Sequence, residues 1–471
     1  MTASDDIELT GHWWDPSDVK SRWSGTLRIH PDGSARLMLL DPPESGWNVF
    51  ASNADYAVLH GISSDGKRAT LLRCFTTSSG GPLGGLRHRE VYVNAVLLGF
   101  HADGPDPAVS GVTGIFRHSR SWHGSSNLKV QYSGTLQNAQ MTYGATPPLT
   151  LYDLSGVTLR MHAALASLPS AFGDDGSFQI KEELRFDLAV DTPRPLSELD
   201  RMLAACRDLL SIACQDYCDA ERWLVYQGTD EDAEEASYHS EPIFQGRRAS
   251  RRFHQMLFCF SDIADDPAPY FTRWLQEADR LKMIRSLYFS AVYGQDFVQG
   301  RFLALTQALE AFHRRYRGGK YMPEAEFASI VAPPLYAAIP KGLDSSHVQS
   351  LKNRIKYGYE HSLRKRLADL FTEHSLALEV VMPDAHRLLP RIVAQRNTFT
   401  HFPEALDASE SEGEEFVGFN GILQLLLELC FLKLIGFNDE GLKELVQRAP
   451  GRVRLIRRFL QPKGGQSAEA D

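Results

Sequence analysis

"DTPRPLSELDRMLAACRDLLSIACQDYC", residues 191–218, is where the chain changes its period. After "DTPRPLSE" (191–198) apolar residues fall three or four apart, the repeat of a helix face, with Ser197 placed to cap it. Upstream the repeat is two. "SGTLRIHPDGSARLML" (24–39) is two alternating runs around a Pro-Asp-Gly turn, and "YAVLHGISSDGKRATLLRCF" (56–75) repeats the plan around Asp65-Gly66. "REVYVNAVLLGF", "LKVQYSGTL", "VTLRMHAAL" and "SFQIKEELRFDLAV" continue it, with Gly, Pro and Asp between them. This is the pattern of an antiparallel sandwich or barrel-like sheet. Downstream, "RWLVYQ" (222–227) is one more short strand and "GTDEDAEEASYHSE" (228–241) an exposed acidic loop. From about 270 onward helical spacing predicts helices over 281–317, 323–332, 345–373, 384–402, 413–436 and 439–460. The predicted class is therefore an α+β multidomain protein. An antiparallel β-rich, sandwich-like domain (1–192) is followed by a mixed α/β continuation and linker (193–280), an all-α helical bundle (281–462) and a disordered tail (463–471).

With 43% apolar and 23% charged residues, the 471-residue chain has enough apolar matter for more than one core. Four early tryptophans, Trp13, Trp14, Trp23 and Trp47, fit core positions first and a ligand platform second. Six cysteines (74, 206, 214, 218, 259, 430) form no C-x-x-C pair and read as reduced thiols of a cytoplasmic protein. The start "MTASDDIELT" is acidic and does not resemble a secretory signal. The most apolar run, "ILQLLLELCFLKLIGF" (422–437), carries Glu428 and Lys433 and reads as a buried helix rather than a membrane span.

The net charge of −9 argues against a protein that coats nucleic acid generally. Its distribution narrows the point. Residues 1–300 hold 27 Lys and Arg against 38 Asp and Glu, whereas 301–471 hold 23 against 21. Basic residues of the second part cluster in "HRRYRGGK" (313–320), "KNRIK" (352–356), "RKR" (364–366) and "GRVRLIRR" (451–458). Each cluster alone is an ordinary solvated helix face. Together they mark a candidate polyanion site, with Arg314, Arg315, Arg317, Lys352, Arg354, Lys356, Arg364 and Arg366 as its candidate contacts, which the resemblance given below would make RNA contacts.

Phosphate-loop, H-E-x-x-H and G-x-S-x-G motifs are absent, which leaves phosphate-loop nucleotide hydrolysis, zinc proteolysis and α/β-hydrolase chemistry unsupported. "RIVAQRNTFTHFPE" (391–404) is the candidate catalytic stretch. An Arg followed closely by a His also occurs at Arg117–His123, Arg248–His254 and Arg354–His361, so spacing alone is weak. Context separates them. Arg396 falls on the stripe of Leu389, Ile392 and Val393, where a guanidinium needs an anionic partner. Asn397 and His401 are i,i+4 neighbours, and Pro403 stops the helix, leaving the imidazole at a C-terminus that favours its protonated form. An arginine, an amide and a titratable histidine are a set able to cleave a phosphodiester. Glu310, among the apolar residues of "FLALTQALEAFHRRYR", is either a satisfied core charge or a partner that orients this set.

On these residues the chain resembles the HEPN superfamily of helical ribonucleases, recognised by R-x(4–6)-H with Asn after the Arg; "RNTFTH" has that form. "LTQALEAFHR", "LRKRLADLF" and "LPRIVAQRNTFTHFP" are similar to the HEPN domain of the ApeA abortive-infection family, and "GHWWDPSDVKSRWSGTLRIHPDGSARLML" to the opening of the ApeA N-terminal domain. The resemblance implies a metal-independent endoribonuclease without a cofactor, dimeric through the HEPN domain and active in antiphage defence. It would cut cellular RNA, tRNA among the candidates, by 2′-hydroxyl transesterification. His401 would be the general acid/base, Arg396 would neutralise phosphate charge, and Asn397 and Glu310 would hold the geometry. The acidic N-terminal half would then be a sensor or restraint answering a phage-derived trigger. Two other readings stay open: a non-catalytic HEPN protein that binds nucleotide or RNA or serves as a scaffold, and an N-terminal sheet that is itself the binding module.

Overall fold

The computed structural model describes residues 6–40, 55–80, 87–133, 138–166, 180–228, 232–246, 251–401 and 410–460. Trp47, Pro403 and the tail 463–471 lie outside the described residues. The chain divides into two compact units, 1–276 and 277–471.

The first unit holds β1 (Ile7–Trp14), β2 (Trp23–Ile29), β3 (Ala35–Leu40), β4 (Asp55–Ser63), β5 (Arg68–Gly80), β6 (His88–Leu98) and β7 (Ala108–Phe116). After the short α1 (Ser119–His123) come β8 (Leu128–Ser133), β9 (Asn138–Tyr143), β10 (Leu149–Leu154), β11 (Val157–Leu165) and β12 (Glu182–Pro195). Then follow α2 (Leu196–Cys214), β13 (Ala220–Gln227), β14 (Glu234–Ser240) and α3 (Ala268–Gln276). Both predicted hairpin turns form, with Gly33 and Gly66 at φ +86° and +82°, the left-handed backbone those turns require.

Antiparallel pairing is as predicted, and of the two expected forms, sandwich or barrel-like sheet, the first six strands take the closed barrel. They run β6-β3-β2-β1-β4-β5, and β5 pairs back onto β6. Closure follows from the length of β5, which offers one edge to β4 and the other to β6. β6 is also the branch point. Its first half pairs with β3 and its second half with β14, which leads into a second antiparallel run, β14-β13-β7-β12-β11-β10. Inward positions two apart, such as Leu27 and Ile29, Leu37 and Leu39, and Val91 and Val93, fill the barrel. Trp13 lies among them fully buried, its Nε1 donating to the Gly25 carbonyl at 3.1 Å. Gly61 makes room for the indole: a Cβ there would stand 2.2 Å from the ring. Trp14 is buried as well, so the core reading holds for both.

Within the stretch that opened the sequence, β12 runs as far as Pro195 and α2 starts at Leu196. Ser197 does not cap the helix. Instead Asp106, from the turn before β7, accepts the Ser197 N–H at 2.8 Å and its hydroxyl at 2.7 Å. The cap is supplied from a distant loop, which local spacing cannot reveal. After α2 the chain returns to the sheet as β13 and β14, so much of 193–280 is woven into this unit.

The second unit is helical, as predicted: α4 (Ala278–Tyr293), α5 (Val298–Arg317), α6 (Glu324–Glu326), α7 (Ala332–Ala337), α8 (Ser345–Lys356), α9 (Leu363–Glu373) and α10 (Ser375–Leu378). α11 (Leu389–His401), α12 (Glu410–Ile435), α13 (Asp439–Gln447) and α14 (Pro450–Leu460) complete it. Three long predicted helices are each broken in two: at Gly294, whose backbone turns extended with ψ 165°; at Tyr357–Ser362; and before Pro450. The apolar run 422–437 lies mostly on α12. Residues 414–435 are long and apolar enough to cross a membrane, yet 72% of the most apolar window is buried inside the unit. Glu428 at its middle is fully buried and satisfied, accepting from the Tyr288 hydroxyl and Gln424 Nε2 at 2.8 Å each and from Arg452 Nη1 at 2.5 Å. That network lets a carboxylate sit in an apolar core.

All six cysteines are free thiols, and five are buried. Cys430 Sγ lies 3.5 Å from His374 Nε2. Burial pushes the His374 imidazole down to about 4 and the Cys430 thiol up, so both are neutral at physiological pH. The unfolded chain takes up the imidazole proton near its ordinary value of 6.5, so the helical unit loses stability as pH falls from there toward about 4. Thermal melts across that window should show the loss, and His374→Gln should flatten it.

Candidate active site

α11 carries the "RNTFTH" end. Leu389 and Ile392 bury its inner face, and Arg391 ties it to α12 through an ion pair with Glu415 and a 5.6 Å approach to the Phe419 ring. Toward its C-terminus, Phe399 packs on Phe416 at 5.1 Å between ring centres, and Phe416 packs on Phe302 of α5 at 5.2 Å. These rings set the motif against the N-terminal half of α5. Arg396 is half-buried, at the edge of the apolar stripe rather than inside it, and its Nη1 donates to Asn397 Oδ1 at 3.4 Å. Asn397 is exposed. His401 is the last residue of α11, and its side chain lies outside the described residues. Arg396, Asn397 and His401 thus share one helix end.

Glu310 does not join them. Its carboxylate accepts from Arg314 Nη2 at 3.0 Å, and Arg314 also pairs with Glu360. Glu310 lies eight residues along α5 from Phe302, about 12 Å of helix rise away from the level of the motif. It belongs to another cluster.

That cluster centres on Arg366, which is 1% exposed. Arg366, one of the expected RNA contacts, is a buried clasp. Nε donates to the His361 carbonyl at 3.0 Å, and Nη1 and Nη2 to the Gly318 and Gly319 carbonyls at 3.2 Å each; Glu360 stands at 3.5 Å. Gly319 must be glycine, with φ +93° and a would-be Cβ 2.4 Å from Arg366 Nη1. Arg317 is likewise engaged, by Glu373, and Arg315 donates to the Arg280 carbonyl. Lys352, Arg354, Lys356 and Arg364 are exposed and make no ion pair with the described residues.

Among the described residues, His313, His361 and Asp369 form the one trio close enough to hold a metal ion, their ligand atoms lying within 4.8 Å of one another. The protons do not fit. Arg366 Nη1 faces His313 Nδ1 at 3.3 Å and can only donate, so Nδ1 is the acceptor and Nε2 carries the hydrogen toward Asp369 Oδ2 at 3.2 Å. Nε2 then has no lone pair for a cation, and Lys365 Nζ already occupies Asp369 Oδ1 at 2.6 Å. Desolvation holds the His313 imidazole below its ordinary value, consistent with a neutral ring. The trio is part of the clasp. The tandem glycine after "HRRYR" was the sequence sign that a backbone turn there closes on a side chain.

The helical unit is of the HEPN nuclease class: residues 303–441 match the family model described as Apea-like HEPN. Residues 8–274, more than half of the chain, match the model described as ApeA N-terminal domain 1. The chain belongs to the ApeA family of abortive-infection proteins. No curated protein and no solved structure matches it.

Proposed function

We propose that the protein is a cytoplasmic endoribonuclease that cuts RNA without a metal ion, in antiphage defence, at the C-terminal end of α11. The observation that carries this reading is the gathering of Arg396, Asn397 and His401 on one helix end inside the HEPN match. The ribose 2′-oxygen attacks the adjacent phosphorus and the bond to the 5′-oxygen breaks. His401 accepts the 2′-hydroxyl proton. A second His401, across a homodimer of the helical units, gives a proton to the leaving oxygen. Arg396 stabilises the charge that builds on the phosphoryl oxygens, held by Asn397 at its Nη1. The helix C-terminus favours the protonated imidazole. Glu310, tied to Arg314, takes no part in the step. The acidic barrel unit fits a sensor for a phage-derived trigger.

The product chemistry tests the reading. Cleavage should persist with a chelator present, and the new ends should be 2′,3′-cyclic phosphate and 5′-hydroxyl. Cutting that stops on chelation, or that leaves 3′-hydroxyl and 5′-phosphate ends, overturns it.

A further inference from the structure

Residues 320–360 leave the helical unit after α5 and return before α9. Their two ends are clipped together by an antiparallel bridge between Lys320 and Glu360, with the Tyr321 N–H donating to the Tyr359 carbonyl at 2.8 Å. The excursion has its own small core of Phe327, Ala332 and Tyr359, on which Met322, Tyr336 and Ile355 pack. Its base is the Arg366 clasp on the Gly318 and Gly319 carbonyls. It is an arm, pinned at its root and built around a core separate from the bundle's.

α8 is the arm's outer helix, and none of its residues is buried. Asp344 caps it, accepting the Ser346 N–H at 2.8 Å. Val348, Leu351 and Ile355, all half-buried, form its inner side. The opposite side is an open, shallow face formed by Ser346, Gln349, Ser350, Asn353, Arg354 and Tyr357, which fall on one stripe at helical spacing. Arg354 runs along one edge of that stripe and Lys352 and Lys356 along the other. No Asp or Glu occurs between 345 and 356, and these three cations meet no carboxylate among the described residues. This differs from α5, where Arg314 and Arg317 are neutralised by Glu310, Glu360 and Glu373. Tyr357, at the end of the stripe, is 55% exposed.

We propose that α8 is a docking face for an unpaired RNA strand, distinct from the helix end that would cut it. The inference rests on the ribonuclease reading and adds the class of substrate to it. Arg354, Lys352 and Lys356 take phosphates from both edges of the stripe. The amides and hydroxyls between them suit ribose and base edges, and the exposed Tyr357 ring, which Lys356 Nζ approaches to 5.5 Å, offers a stacking surface that an unpaired base can take in the lysine's place. An acidic protein would answer the cations but leave the ring and the amide stripe without partners.

Binding is measured on the full chain carrying His401→Ala, by fluorescence anisotropy, with a short single-stranded RNA, its duplex and polyglutamate as probes. Joint Lys352→Glu, Arg354→Glu and Lys356→Glu changes should weaken single-strand binding by about 100-fold and lower the log–log salt slope by about 2. Tyr357→Ala should weaken single-strand binding by about tenfold and leave duplex binding unchanged. Because α8 buries no side chain, these variants should melt with the parent, which circular dichroism checks. Unchanged single-strand affinity, or an equal loss of polyglutamate binding, overturns the assignment. The two readings fail separately. If the charge-reversed chain with His401 intact cuts the same RNA at unchanged KM, only the docking face falls; if the His401→Ala chain cuts like the parent, the ribonuclease reading falls.

Discussion

Alanine at His401 should lower RNA cleavage by about a hundredfold to ten-thousandfold and abolish growth arrest, while the melting temperature stays where it was. The rate loss follows from removing a positioned proton carrier from a step that has no other in the motif. A role in the step alone predicts a loss of rate without a loss of stability, and the melt tests that. Arg396→Ala should cost less in rate, since Arg396 stabilises charge and carries no proton. Its half-buried position adds a small loss of packing that the melt will register. Cleavage rates, product ends and melts on the same preparations separate chemistry from folding. A His401→Ala protein that cuts at the parent rate leaves the scaffold reading as the survivor.

Trp13→Ala should destabilise the barrel by about 3–5 kcal/mol, a large share of the 5–15 kcal/mol that holds a typical domain. The indole is fully buried, donates to the Gly25 carbonyl and fills the space that Gly61 leaves open. Truncation leaves a cavity and removes the indole's hydrogen bond to the Gly25 carbonyl. Gly61→Ala attacks the same contact from the other side, through a Cβ 2.2 Å from the ring. Because the chain holds two units, the unfolding of the first is best followed by a local probe such as near-UV circular dichroism, not by one global midpoint. A Trp13→Ala protein with an intact barrel and lost ligand binding would revive the platform reading.

What the sequence determined by itself is local. The change of period at 191–198 marks where β12 gives way to α2, because side-chain direction repeats every two residues in a strand and every 3.6 in a helix. Pro-Asp-Gly and Asp-Gly marked two hairpins, because those turns need a positive φ that glycine adopts freely. The "RNTFTH" end was legible for the same reason, as three residues on neighbouring turns of one helix. Arg366 was legible and misjudged: it shares a face with Leu370, one turn on, while Arg364 beside it is exposed. The helix parts the members of "RKR": Arg364 and Lys365 face outward and Arg366 inward. Tertiary structure alone decided the rest. Closure of the barrel through β5 and β6, the capping of α2 by Asp106, and the pairing of Arg314 with Glu360 at the root of an arm depend on which distant backbone and charges meet. Such meetings are set by the packing of whole elements. Neither composition nor period encodes them, because each joins groups that no turn, strand or helix repeat brings together.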